Sequence, residues 1–80
     1  MKARIVVTLK SGILDPQGKA IEHALGSLGI AGIASVRQGK VFDVELGATD
    51  RKEAQIVLKA AADKLLANNV IENYEVQLMR

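Results

Sequence analysis

The hydrophobic period of this chain switches once in its first thirty residues. The switch is marked by Leu14-Asp15-Pro16-Gln17-Gly18. Ahead of it, Ala3, Ile5, Val7 and Leu9 alternate with Arg4, Val6, Thr8 and Lys10, the pattern of a half-buried strand over residues 2–10. Behind it, Ala20, Ile21, Ala24, Leu25 and Leu28 recur at helical spacing, with Lys19, Glu22 and His23 opposite, which predicts a helix from Pro16 to Leu28. Asp15 is placed to accept hydrogen bonds from the orphan amides of the first turn. Pro16 takes the first helical position, where a missing N–H costs nothing. Gly18 leaves the opening turn bare, open to another chain or an anion, and Lys10-Ser11-Gly12 makes a basic, flexible lead-in. Gly26 costs the helix about 1 kcal/mol relative to Ala, so it is expected to mark a close approach by a neighbour. Gly29 is predicted to end the helix as a left-handed cap.

Residues 33–46 admit two readings. Ala34, Val36, Phe42, Val44 and Leu46 share one phase and Ser35, Arg37, Asp43 and Glu45 the other. One long strand bent at Gly39 keeps that phase, with an overhang free to pair with another subunit. A hairpin around Gln38-Gly39-Lys40 keeps it too. The second helix is the clearest element. Asp50 and Glu53 form an acidic variant of the capping box. Ala54, Val57, Leu58, Ala61, Leu65 and Leu66 follow at helical spacing, and Asn68-Asn69 stops the pattern. A last strand over 72–79 turns Tyr74, Val76 and Leu78 inward. The expected class is α+β: a two-layer sandwich, β-α-β(β)-α-β, with an antiparallel sheet of three long strands, or four, and two helices on one face.

Eighty residues suit one domain spanning 1–80. A chain this short buries only about 60% of its unfolded surface. It has no cysteine to staple it and His23 is its only histidine. Apolar residues still make up 49% of it and aromatics only 2%, so the core is aliphatic, and apolar surface left over is expected to be buried between subunits as a dimer or tetramer. Eleven basic and nine acidic residues are interleaved, for a net charge of +2. That is no concentrated basic face for nucleic acid. No apolar run nears the ~20 residues of a membrane span. Without an h-region after Met1-Lys2-Ala3-Arg4, a cytoplasmic protein is expected.

No catalytic constellation stands out. Ser11, Ser27, Ser35 and Thr8 would all have to share His23, which lies on a solvent-facing helix side. Asp43 and Glu45 share a polar strand face with Arg37, which suits cross-strand or interchain ion pairing better than acid–base work. The helix start near Lys10 and Gly18 resembles a phosphate cradle in outline, but Asp15 competes for the same amides. Arg37-Gln38-Gly39-Lys40 is a second polar knot, either a grip for an acidic groove on a partner or a solvated bend. Two further classes compete. A small-molecule sensor acting as an oligomer is suggested by Gly12, Gly18, Gly29 and Gly32. RNA binding on the sheet would need exposed aromatics, and only Phe42 and Tyr74 exist.

Several stretches together resemble the PurS family: Val6-Val7-Thr8-Leu9-Lys10, Gly12-Ile13-Leu14-Asp15-Pro16-Gln17-Gly18, Ala24-Leu25, Leu28-Gly29, Arg37 with Gly39-Lys40, and Asn69-Val70-Ile71-Glu72-Asn73-Tyr74. The resemblance spans essentially the whole chain. It implies the small, non-catalytic subunit of phosphoribosylformylglycinamidine synthase, a ligase complex of purine biosynthesis. A glutaminase subunit (PurQ-like) frees ammonia and a synthetase subunit (PurL-like) consumes it with ATP, and PurS bridges the two. It implies no cofactor on this chain; ATP, Mg and glutamine belong to the complex. The residues expected to meet partners are Lys10, Asp15, Pro16, Gln17, Gly18, Arg37, Gly39 and Lys40.

Overall fold

A computed structural model describes residues 1–47 and 50–79 of the chain. Strand β1 (Lys2–Leu9) is followed by helix α1 (Pro16–Ser27), strand β2 (Gly39–Glu45) and helix α2 (Arg51–Ala61). A π-helical turn, Ala62–Leu66, continues α2, and strand β3 (Glu72–Met79) comes last. The strands form one antiparallel sheet in the order β2-β1-β3. The first strand in sequence is therefore the central one.

Register explains which residues are buried. Ile5 stands between Phe42 and Val76, Ala3 between Val44 and Leu78, and Val7 between Lys40 and Tyr74. Residues directly opposite one another point to the same face, so these nine line one side of the sheet. Ala3, Ile5 and Val7 are buried there against Leu58, Ala62 and Ala67, with Phe42, Val44, Tyr74, Val76 and Leu78 packed around them. Lys2, Arg4, Val6 and Thr8 take the other side, where Arg4 Nε meets the Asp43 carboxylate opposite it at 2.9 Å. The expected ion pairing of Asp43 is thus cross-strand, and its partner is Arg4 rather than Arg37.

Helix α2 supplies the covering layer. Asp50 caps it by accepting from the Lys52 amide, Glu53 and Lys59 suit its two poles, and Ala54 and Leu58 are buried under it. Its continuation departs from the expected periodicity. In an unbroken α-helix Leu65 would follow Leu58 and Ala61 onto the buried stripe. Here the Ala67 amide donates to the Ala62 carbonyl five residues back, at 2.9 Å. The wider turn rotates the chain less per residue. Leu65 falls short of the stripe and is 83% exposed, while Leu66 and Ala67 take the inner positions. Asn68 then stops the helix as expected: its carbonyl accepts from the Ile71 and Glu72 amides, and its side chain from the Val70 amide.

Residues 30–38 belong to neither a long strand nor a hairpin; they carry no regular secondary structure and the sheet keeps three strands. Helix α1 ends as expected. The Ile30 amide donates to the Leu25 carbonyl and the Gly29 amide to that of Gly26, a Schellman arrangement with Gly29 at φ +79°. Gly18 is the one buried residue of α1. Ala20, Ile21, Ala24 and Leu28 of the predicted apolar stripe are exposed, Leu28 by 74%, and Leu25 is half-buried. Among the described residues outside its own helix turn, none lies within contact of a Cβ added at Gly26 either. The molecule is long, with extents of 48 × 27 × 15 Å and a radius of gyration of 16.0 Å. A compact chain of this length has about 12 Å. We refer to α1 together with residues 28–35 as the arm; residues 36–38 lead from it into β2.

Candidate functional site

The two polar knots that stand twenty residues apart in sequence form a single cluster at the base of the arm. Its centre is Asp15, only 5% exposed. One carboxylate oxygen accepts from the Gly18 amide at 3.0 Å, which caps α1. The other accepts from the Gln38 amide at 2.6 Å, which ties the returning chain to the start of the helix. These backbone donors, with the nearby Arg37 guanidinium adding to them, hold the Asp15 carboxyl below the usual carboxylate range despite its burial. Around it, Gln38 Nε2 donates to Gln17 Oε1 at 2.6 Å and Arg37 Nη2 to the Lys10 carbonyl at 3.2 Å. One turn further along α1, Glu22 Oε2 accepts from the Val36 amide at 2.8 Å.

Each residue expected at a partner surface can now be placed. Asp15 and Gly18 are turned inward. The open backbone of Gly18 is met by the Val36 carbonyl of the same chain, not by a guest. Gly39 lies so close to β1 that a Cβ there would sit 2.7 Å from the Val7 carbonyl oxygen. Pro16, Gln17, Arg37 and Lys40 are exposed around this core, and Lys10 is half-buried with its amide bound to the Ile71 carbonyl. Lys40 also reaches across β1 to Glu72, 3.5 Å away. Beside the cluster opens a groove of about 440 Å³ with an apolar floor, including Val7, Leu9, Leu14 and Ile71, and a polar rim of Gln38 and Lys40.

Two members of this cluster escaped the sequence. Glu22 sits on the polar side of α1, where a solvated carboxylate is the ordinary expectation. Glu72 opens a strand whose neighbour across β1 depends on register. Neither has a local signal; only the return of residues 36–38 to α1 makes Glu22 an acceptor.

The other candidates disperse. His23 is exposed, and Ser27 Oγ donates to its backbone carbonyl at 3.2 Å rather than to the imidazole. Gly12, Gly29 and Gly32 have positive φ, so turn geometry accounts for them without a ligand. Phe42 and Tyr74 pack against the core and offer no exposed stacking platform. Among the described residues no group of three or more His, Asp or Glu side chains gathers as a metal cage. No helix among them is long and apolar enough to cross a membrane. A second polar cluster joins the π turn to α2 and to the turn that follows it: Asp63 accepts from Lys59 at 2.8 Å and from Asn69 at 3.2 Å. Hydrogen bonding between Lys59 and Asp63 raises the first and lowers the second, and Asp63 as acceptor raises Tyr74.

What this arrangement can do is hold an arm at a set angle beside an apolar groove. It presents surfaces, and it gathers no reacting groups. The same architecture recurs among known proteins. The family model described as PurS, phosphoribosylformylglycinamidine (FGAM) synthase, matches residues 2–80. The chain is 47% identical over 76 residues to the phosphoribosylformylglycinamidine synthase subunit PurS of Mycobacterium leprae, covering 94% of this chain and 91% of that one. The crystal structure of Bacillus subtilis PurS superposes with a TM-score of 0.88 at 38% identity, over 99% of this chain and 98% of that one. A chain in the structure of PurLQS from Thermotoga maritima superposes with a TM-score of 0.89 at 33% identity, over 98% and 95%. On a match that runs from the first strand to the last, at this identity and with the whole fold superposing, the chain belongs to the PurS family.

Proposed function

We propose that this chain, a PurS-type subunit of phosphoribosylformylglycinamidine synthase in purine biosynthesis, works as a non-catalytic adaptor that joins the glutaminase (PurQ-like) subunit to the synthetase (PurL-like) subunit. The observation that carries this reading is the uncovered arm. Helix α1 turns an apolar stripe to solvent while a polar clamp fixes its base. A small aliphatic domain with so much apolar surface open is completed by other chains. Self-association into a dimer or tetramer covers part of it, and the two large subunits meet what remains. Ammonia released on one subunit must arrive at another before it is lost, so fixed relative placement of the two sites is itself a contribution to rate.

ATP, magnesium and glutamine are assigned to the partner subunits. We further propose that the complex works in the cytoplasm.

The test is reconstitution. The chain alone should show no amidotransferase activity, and its addition to the glutaminase and synthetase subunits should restore glutamine-dependent turnover. Full turnover of those two subunits without it would refute the adaptor role. Charge reversal at Arg37 and Lys40, both exposed at the base of the arm, should weaken co-purification while the domain stays folded; an unchanged complex would remove that site from the interface.

A further inference from the structure

Residues 36–38 carry no regular secondary structure and have no strand beside them on the α1 side. Two carboxylates stand where a strand would be. Val36 and Gln38 are two apart, so their amides point to the same edge. Those amides donate to Glu22 and Asp15 at 2.8 and 2.6 Å. The arm therefore takes its direction from side-chain acceptors on α1. Apolar packing does not set it, because α1 adds no buried apolar side chain to the core. Asp15 belongs to both halves of this joint, since its other oxygen caps the helix.

We infer that Asp15 is the positioning residue of the assembly: by gripping Gly18 and Gln38 at once, it sets the angle at which the arm leaves the sheet, and that angle is what the neighbouring subunits read. The inference rests on the adaptor reading. Leverage makes the angle matter. A swing of about 10° at the base carries the far end of a helix ~18 Å long through about 3 Å, enough to take interface side chains out of register.

The chemistry of the carboxylate separates this role from ordinary capping. Asn is as good an N-cap as Asp, but it has one acceptor oxygen, and its amide nitrogen would face the second backbone donor. Asp15→Asn thus leaves α1 formed and opens the bond to Gln38. Amide hydrogen exchange on the free chain, and titration of the chain into its two partner subunits, test this together. Exchange at Gln38 should accelerate about tenfold or more while Ile5 and Val7 in β1 stay protected. The concentration of chain needed for half-maximal glutamine-dependent turnover should rise about tenfold, with turnover at saturation unchanged. Glu22→Ala should do the same through Val36.

If Gln38 stays protected both in Asp15→Asn and in Asp15→Ala, which removes both acceptor oxygens, the clamp is not what holds the arm. If Gln38 is released and the titration does not move, the arm's angle is not read by the partners. If the variant loses protection in β1 or unfolds, Asp15 supports the fold as a whole and the positioning role fails. A wild-type chain that adds nothing to the partners' turnover refutes the adaptor reading instead, and exchange at Gln38 then still decides whether the clamp holds the arm.

Discussion

The Cα of Gly18 lies against the carbonyl oxygen of Val36 with no room for a methyl group between them. Helix α1 and the chain returning from it touch backbone to backbone at that point, beside the Asp15 carboxylate that binds both. Glycine is needed there for space, as Gly18 is helical and has no positive φ.

The first prediction contrasts two glycines of one helix. Helix propensity alone favours Ala over Gly by about 1 kcal/mol. At Gly26 nothing stands within contact of an added methyl, so Gly26→Ala should stabilise the free chain by up to about 1 kcal/mol. At Gly18 the collision with Val36 opposes that gain, and overpacking costs about 1–3 kcal/mol. Gly18→Ala should therefore be net destabilising and should loosen residues 36–38 first. Urea unfolding of the two variants checks the opposite signs.

The second prediction concerns the π turn. Leu58 is buried in the core and Leu65 is on the surface, although both fit one α-helical stripe in sequence. Leu58→Ala should cost about 2–5 kcal/mol, a large share of the stability of so small a domain. Leu65→Ala should stay within about 0.5 kcal/mol of the parent. Equal losses at the two positions would mean that the helix continues as α through residue 65.

These contrasts show where the fold could be read in advance. Alternation in residues 2–9 and 72–79 is set by one buried face against one wet face, so Ile5, Val7 and Val76 declared themselves. Asp15, Pro16 and Gly29 act on their immediate neighbours, and their capping roles were equally plain. Leu65 was not legible, because the i+5 hydrogen bonding of the π turn undoes the period on which the expectation rests. Nor was the course of residues 33–38: they join no sheet, and the amides of Val36 and Gln38 donate to the Glu22 and Asp15 carboxylates instead, which no strand pattern encodes. The candidate site was visible in its parts, Asp15 to Gly18 and Arg37 to Lys40. That the parts are one cluster depends on where the arm folds back.

The third prediction is a pH dependence. Asp15 and Asp63 titrate below the ordinary 3.8 because their charged forms accept hydrogen bonds, from the Gln38 and Gly18 amides and from Lys59. A lowered carboxyl adds stability above its unfolded value and loses it as pH falls through the folded value. The free chain should hold its stability down to about pH 5 and lose it below about pH 4. Tyr74, raised from 10.0 by Asp63, works in the opposite sense: its share is whole below pH 10.0 and is lost as pH rises through the raised value. Denaturant midpoints measured across pH should show both flanks. The acid flank should be shallower in Asp15→Asn, which has no proton to take up at that site.

The last prediction addresses the stripe on α1. Ile21 and Leu28 are exposed on the arm and lie outside the core cluster, so charge at those positions should leave the single chain intact. Burying one such side chain at an interface is worth about 1.5–3 kcal/mol. The doubly substituted Ile21→Glu, Leu28→Glu chain should therefore dissociate at concentrations about 100-fold higher than the parent, or more. Under the proposed self-association, sedimentation should show a folded monomer at concentrations where the parent runs as an oligomer, with far-UV circular dichroism unchanged. Loss of helix in the monomer would instead make the stripe part of the domain's own stability, and an undisturbed oligomer would place the subunit contact on the sheet or the π turn.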